Sequence, residues 1–252
     1  MENSNSKVAF ITGANKGIGL ETARGLGKLG ITVILGSRDS ANGEKAVADL
    51  KRDGVTSARA LKFDVNTPGD HRKALDEIQQ RYGRLDILVN NAGITEDVDF
   101  ANPSGVNTAP TISPETLRRI FDTNFFNVVA LTQTLLPLLK KSPAGRIVNL
   151  SSILASLTLH ADPKSPIYNV KVFGYDASKT ALNAFTVHLA AALKETKIKV
   201  NAAHPGWVKT DMGGPNAPME LADGGKTSVQ LATLPDDGPT GGFFHMGERL
   251  PW

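Results

Sequence analysis

Val8-Ala9-Phe10-Ile11-Thr12-Gly13-Ala14-Asn15-Lys16-Gly17-Ile18-Gly19 is the stretch that decides the fold. Val8–Thr12 is a short apolar run of the buried-strand type, and a helical pattern begins at Ile18. Between them lies a glycine-rich turn. Strand, turn and helix N-terminus in that order make an anion site: glycines admit close backbone approach, while free N–H groups and the helix dipole face a phosphate. The spacing is G-x-x-x-G-x-G, so the G-x-G-x-x-G fingerprint does not match as written. Its place after the first strand still favours a dinucleotide over an unliganded turn. Gly13, Asn15, Lys16, Gly17, Ile18 and Gly19 are the candidate contacts.

Outward from this stretch, apolar runs alternate with helical patterns. Strands are expected at about Val8–Thr12, Thr32–Ser37, Ala58–Asp64, Leu85–Asn90, Gly145–Ser151, Lys199–His204 and Gly242–His245. Helices are expected at about Ile18–Leu29, Ala41–Asp53, Pro68–Tyr82, Pro114–Lys140, Tyr175–Glu195 and Ala217–Leu234. That alternation predicts an α/β fold: one doubly wound (Rossmann) parallel sheet of about seven strands with helices on both faces. It spans residues 7–252 as a single domain after a short polar tail, 1–6, expected to be disordered. Three longer segments interrupt the rhythm: Ile94–Ser113, Ile153–Gly174 and Val208–Pro218. Each follows an expected strand, so each leaves from the carboxyl edge of the sheet, where ligands bind in such folds.

Composition narrows the chemistry. The chain has no cysteine, which excludes disulfides, thiolate catalysis and cysteine-based metal sites. The five histidines show no ligand spacing and read as satisfied or exposed side chains; no metal is expected. The net charge of +3 is mild and the basic residues are spread out, which argues against a nucleic-acid partner. No signal peptide and no membrane-spanning apolar run is visible, so a cytoplasmic protein without a membrane partner is the default.

The end of the second expected strand carries Ser37-Arg38 in place of a carboxylate. A carboxylate there would hold a ribose 2′-hydroxyl, whereas Arg38 can fork onto a 2′-phosphate, with Ser37 donating a hydrogen bond and Lys16 as a second cation. NADP(H) is therefore favoured over NAD(H). Asp64-Val65 closes the third strand, where Asp64 either accepts from an adenine amino group or caps the next turn. Asn90-Asn91-Ala92-Gly93 ends the fourth; its small residues let backbone lie close to a ribose, and its amides can tie strands together. Far along the chain, Tyr175 and Lys179 stand four residues apart at the start of a helical segment, on one face. A cation there favours the phenolate and lowers the phenol's pKa from its usual ~10. Neither Tyr82 nor Tyr168 has a lysine at that offset.

Taken together, these motifs resemble a short-chain dehydrogenase/reductase of the classical type. The resemblance runs from Lys7 to Phe244 and rests on Thr12-Gly13-x3-Gly17-x-Gly19, Asp64, Asn90-Asn91-Ala92-Gly93, Asn124, Ser151-Ser152, Tyr175-x3-Lys179 and Pro205-Gly206 in order. It implies roles: Tyr175 as general acid in reduction, Lys179 lowering its pKa and bonding the nicotinamide ribose, and Ser152 holding the substrate carbonyl oxygen. Asn124 is implied to position a water that links Lys179 to solvent. Pro205, Gly206, Val208 and Thr210 are implied to line the nicotinamide. Ser152 is preferred over Ser151 because the second serine matches the family position.

One feature departs from the family pattern. Ser152 and Tyr175 are 23 residues apart, about ten more than is common in the family. Extra residues here are similar to the carbonyl-reductase branch, whose members reduce ketones, aldehydes and quinones with NADPH. An apolar carbonyl substrate is expected against Ile153, Leu154, Tyr168, Val172, Phe173, Trp207 and Met212. An acyl-thioester ketoreductase, an alcohol or steroid dehydrogenase, and a silent NADP(H) sensor stand as alternatives. Monomer and homo-oligomer are both left open.

Overall fold

The computed structural model describes residues 6–96 and 108–252. Of the expected tail only Ser6 falls among them, and its hydroxyl donates to the Gly30 carbonyl. Most of the Ile94–Ser113 loop, with Pro103 and Gly105, lies outside the described residues.

Seven strands follow the apolar runs: β1 (Val8–Ile11), β2 (Thr32–Ser37), β3 (Ala58–Lys62), β4 (Ile87–Asn90), β5 (Arg146–Leu150), β6 (Lys199–Ala203) and β7 (Phe243–His245). An eighth, β8 (Glu248–Arg249), was not expected; it turns back antiparallel onto β7 through Met246 and Gly247, both at positive φ. The sheet order is β3-β2-β1-β4-β5-β6-β7-β8, parallel up to β7. Between strands lie α1 (Gly17–Lys28), α2 (Ser40–Arg52), α3 (Pro68–Tyr82), α4 (Pro114–Phe121), α5 (Asn127–Leu139), α6 (Leu157–Ala161), α7 (Phe173–Ala192) and α8 (Lys226–Ala232).

Strand pleat sorts the core into two layers. Ala9 and Ile11 of β1 face α1, α2 and α8 through Ala23, Leu26, Leu50 and Leu231. Val8 and Phe10 face the other way, onto Ile78 of α3 and Leu131 and Leu135 of α5. The best-buried runs are therefore the ones the sequence marks as strands. No helix among the described residues is long and apolar enough to cross a membrane.

Two helix expectations need correction, and one segment gains detail. The helix over Ala217–Leu234 is much shorter: Leu221–Asp223 forms a 3-10 turn, and α8 starts only at Lys226. Gly225 marks a close approach there: a Cβ on it would stand 2.7 Å from the α1 backbone at Glu21 and Thr22, so the segment lies against α1. The helix expected over Pro114–Lys140 is divided by a π turn, Asp122–Phe126, in which Asn127 N–H bonds back five residues to the Asp122 carbonyl. The Ile153–Gly174 segment, which shows no clear period, holds a 3-10 turn (Ile153–Ala155) and the short α6.

Candidate active site

Sheet order reverses between β1 and β4, and the glycine turn sits at that switch point. Thr12 and Asn91 lock it. The Thr12 hydroxyl accepts from the N–H groups of Asn91 (3.0 Å) and Ala92 (2.9 Å). The Asn91 amide donates to the carbonyls of Thr12 (2.8 Å) and Gly13 (3.0 Å). Gly13 and Gly17 both have φ near +60°, where L side chains are strained. At Gly19 a Cβ would meet Asn91 Nδ2 at 2.5 Å and Gly13 O at 2.6 Å. At Gly17 it would meet only Thr210 Cγ2, at 3.9 Å, so the space before the helix N-terminus is open. A bare helix N-terminus facing an open cradle fits a dinucleotide pyrophosphate.

A cavity of about 1160 Å³ runs from this turn along the carboxyl edge of the sheet. Gly13 and Asn15–Gly19 line it, as do the Ser37–Arg38 and Asp64–Val65 pairs, Asn91–Gly93, and Pro205, Gly206, Val208 and Thr210. At the far polar end Arg38 is exposed, with no hydrogen bond or ion pair among the described residues. Lys16 is exposed too, but paired with Asp211 at 2.5 Å. Ser37 is buried and spends its proton on the Asp39 carbonyl (2.7 Å). One oxygen of the Asp64 carboxylate caps the next turn, accepting from Asn66 N–H (2.9 Å), and the residue also lines the cavity.

At the other end stand Ser152, Tyr175 and Lys179, all lining the cavity. Lys179 is 4 % exposed, its ammonium 5.8 Å from the Tyr175 ring centre and donating to the Leu150 carbonyl (2.8 Å). Burial pushes its pKa down to about 8. The two serines part ways. Ser151 donates to the Asn183 amide oxygen in the core (2.7 Å), whereas Ser152 Oγ accepts from Leu154 N–H (3.2 Å). Accepting that bond leaves the Ser152 hydroxyl its own hydrogen to donate.

Asn124 does not line the cavity. It is fully buried in the π turn, where its amide accepts from Ile94 N–H (2.8 Å) and donates to Ile94 O (2.9 Å) and Ser178 Oγ (3.0 Å). Ser178 in turn donates to the Tyr175 carbonyl (2.7 Å), so Asn124 braces the first turn of α7. A Cβ on Gly93 would stand 3.2 Å from Asn124 Oδ1 and 3.3 Å from Lys179 Nζ; the glycine leaves both side chains their room.

The apolar wall is partly the expected one. Ile153, Leu154, Trp207 and Met212 line the cavity; Tyr168, Val172 and Phe173 do not. Tyr168 lies outside under the Lys171 ammonium, and Val172 packs behind Tyr175 in a small cluster with Leu154 and Ile167. Sequence reasoning missed Pro166, Ile167, Val170 and His204, which do line it. His204 had a usable signal: it ends the sixth strand on the carboxyl edge, directly before Pro205.

The comparisons agree with this geometry. Residues 7–221 match the family model described as short chain dehydrogenase. Carbonyl reductase [NADPH] 1 from Mus musculus is 33% identical, with 99% of each chain covered. (-)-Isopiperitenone reductase from Mentha piperita is also 33% identical, covering 97% of this chain and 98% of its own. Among solved structures, NADPH-bound carbonyl reductase from chicken fatty liver superposes with a TM-score of 0.81 at 25% identity, over 98% of this chain and 99% of that one. Salutaridine reductase from Papaver somniferum gives 0.78 at 30% identity, over 95% and 99%. A doubly wound sheet, a glycine cradle at its switch point and a near-full-length match leave one conclusion: this chain belongs to the short-chain dehydrogenase family.

Proposed function

We propose that the protein is an NADPH-dependent reductase that converts the carbonyl of an apolar ketone, aldehyde or quinone to an alcohol. The observation that carries this reading is the buried Lys179 ammonium beside the Tyr175 ring, in the same cavity as Ser152. Bound at the glycine turn, the dinucleotide supplies the hydride. Gly13, Asn15, Gly17, Ile18 and Gly19 hold its pyrophosphate end; Asp64, Val65, Asn91, Ala92 and Gly93 hold its adenosine; Pro205, Gly206, Val208 and Thr210 flank its nicotinamide. Arg38 reads the 2′-phosphate, with Lys16 as the second cation, supported by the exposed position of Arg38 at the polar end and its lack of a competing partner among the described residues.

The proton chemistry belongs to the protein. Ser152 donates to the carbonyl oxygen, a bond that strengthens as the oxygen gains negative charge. Tyr175 gives its phenolic proton to that oxygen. Lys179 stabilises the phenolate left behind, because a cation in a dry site interacts more strongly than in water. Asn124 keeps Tyr175 and Lys179 in register through Ser178. The apolar wall of Ile153, Leu154, Ile167 and Met212 carries no charge that would select an anionic substrate.

The test is NADPH and NADH oxidation at 340 nm against aldehydes, ketones and quinones, with Tyr175→Phe alongside. Tyr175→Phe should retain NADPH binding and lose about 10²–10⁴-fold in kcat, the share a positioned acid contributes. Undiminished turnover in that variant refutes the acid assignment.

A further inference from the structure

We propose that His204 is a positioning residue for Ser152, whose following peptide it holds by accepting the Ile153 N–H. The proposal rests on the role given to Ser152 above.

The tautomer follows from the donor. His204 Nδ1 lies 3.2 Å from Ile153 N, and a backbone N–H can only donate. Nδ1 must therefore carry the lone pair, leaving the ring proton on Nε2. The neighbouring ring has the opposite assignment: His245 Nδ1 lies 3.0 Å from the His204 carbonyl, which can only accept, so that nitrogen is protonated. The two rings are 4.9 Å apart. Burial, and then His245, push His204 far below the usual histidine range, to about 3, which keeps its ring neutral and able to accept.

The bond sits where it controls Ser152. β5 and β6 are still paired as the chain reaches Ser151, whose N–H donates to Ala203 O (2.8 Å). His204 is pinned in its turn by its own N–H on Phe244 O (2.8 Å). After Ser152 the backbone bends into the 3-10 turn, whose three N–H groups are each allotted: Ile153 to His204, Leu154 to Ser152 Oγ, and Ala155 to Ser152 O. Only the first of these acceptors comes from a distant part of the chain. His204 thus ties the Ser152–Ile153 peptide to the end of β6, next to Pro205, and so fixes Ser152 against the other cavity wall.

Isosteres separate the ring's two nitrogens: asparagine places an acceptor oxygen where Nδ1 stands, while glutamine places its polar end at Nε2. We expect His204→Ala and His204→Gln to lose about 10–100-fold in kcat, the scale of a small misplacement, with the NADPH dissociation constant by fluorescence within about twofold. His204→Asn should recover to within about threefold of wild type. Combined with Ser152→Ala, His204→Ala should add nothing further, since both changes act through one hydroxyl. In the unliganded protein, ¹⁵N-histidine NMR should show His204 as the Nε2–H tautomer at pH 7. An imidazolium or an Nδ1–H tautomer overturns the proposal, as does additive loss in the double variant or an asparagine variant no better than alanine. Full turnover by Ser152→Ala alone would remove the reading of Ser152 itself, a separate result.

Discussion

At the glycine turn the ties run from backbone to two side chains: buried Thr12 and half-buried Asn91 between them hold four main-chain groups just past β1 and β4, and Gly19 lets α1 come against the Asn91 amide. In the Ile153–Gly174 excursion the ties run through side chains on short, partly exposed pieces. His204 takes the Ile153 N–H, His160 Nε2 bonds the Leu154 carbonyl (2.9 Å), and Ser156 Oγ and Thr158 N–H both donate to Trp252 O. The first end is fixed by close backbone packing that no larger residue permits. The second is fixed by replaceable polar contacts. The molecule thus joins a cofactor end that tolerates little change to a substrate end that can be reshaped one contact at a time.

Two substitutions break the comparison at its strongest points. Lys179 belongs to the cavity yet is buried like a core residue. Its folded pKa, pushed by burial to about 8, lies below the 10.5 of a free lysine, so the unfolded chain binds more protons between those limits. Stability should therefore rise as pH climbs from about 8 to 10.5, and the burial penalty is fully present below that window. Lys179→Met should lose most turnover. At pH 7 it should also unfold at a higher temperature, by a free energy on the order of 3 kcal/mol less the lost Leu150 bond. A lower melting temperature would mean the lysine stabilises the fold. Next in size is Gly19→Ala, expected to cost about 1–3 kcal/mol by overpacking, with loss of NADPH binding by calorimetry. Gly69→Ala, where nothing lies within 4 Å, is its control and should not destabilise.

How much of this was legible in the sequence follows the same division. The shape of the glycine turn could be read from the sequence, because strand, turn and helix are consecutive and its glycines answer steric demands; the engagement of the Ser37 hydroxyl with the Asp39 carbonyl could not. Tyr175 and Lys179 were legible because helical spacing alone puts them on one face. The place of His204 on the carboxyl edge before Pro205 was legible, but its bond was not, because its partner Ile153 is 51 residues away and pairing across β5 and β6 is a tertiary fact. Tyr168 and Val172 were misplaced for a related reason: without a period, side-chain direction in Ile153–Gly174 is set by packing, which turns Val172 onto Leu154, Ile167 and Tyr175 and Tyr168 under Lys171. The over-long helix at Ala217–Leu234 failed in the segment where Gly225 lies against the backbone of α1.

The substrate end should respond more gently. His160 Nε2 bonds Leu154 O and lies 3.3 Å from the Asp176 carboxylate, while its Nδ1 faces the Lys171 ammonium (3.2 Å). An ammonium only donates, so Nδ1 accepts and Nε2 carries the proton, which suits the downward shift that burial imposes on this histidine. His160→Ala should raise KM for the carbonyl about 3–10-fold by loosening Leu154, and leave NADPH affinity unchanged. An equal loss of NADPH affinity would show that the two ends are not held separately.

The smallest effect belongs to an ion pair between two residues that line the cavity. Lys16 comes from the glycine turn and Asp211 from the loop after β6, and their side chains are 71% and 82% exposed. An exposed pair contributes only about 0–1 kcal/mol, so Asp211→Asn should leave the melting temperature nearly unchanged. It should still matter for binding, since Asp211 competes for a cation that the 2′-phosphate can use. Freed of that partner, Lys16 should tighten NADPH by about 2–5-fold at low salt, an advantage that shrinks as added salt screens it, with NADH unaffected. Equal tightening of both dinucleotides would place Lys16 at the pyrophosphate instead. No change in either would show that the pair is a surface contact independent of the cofactor.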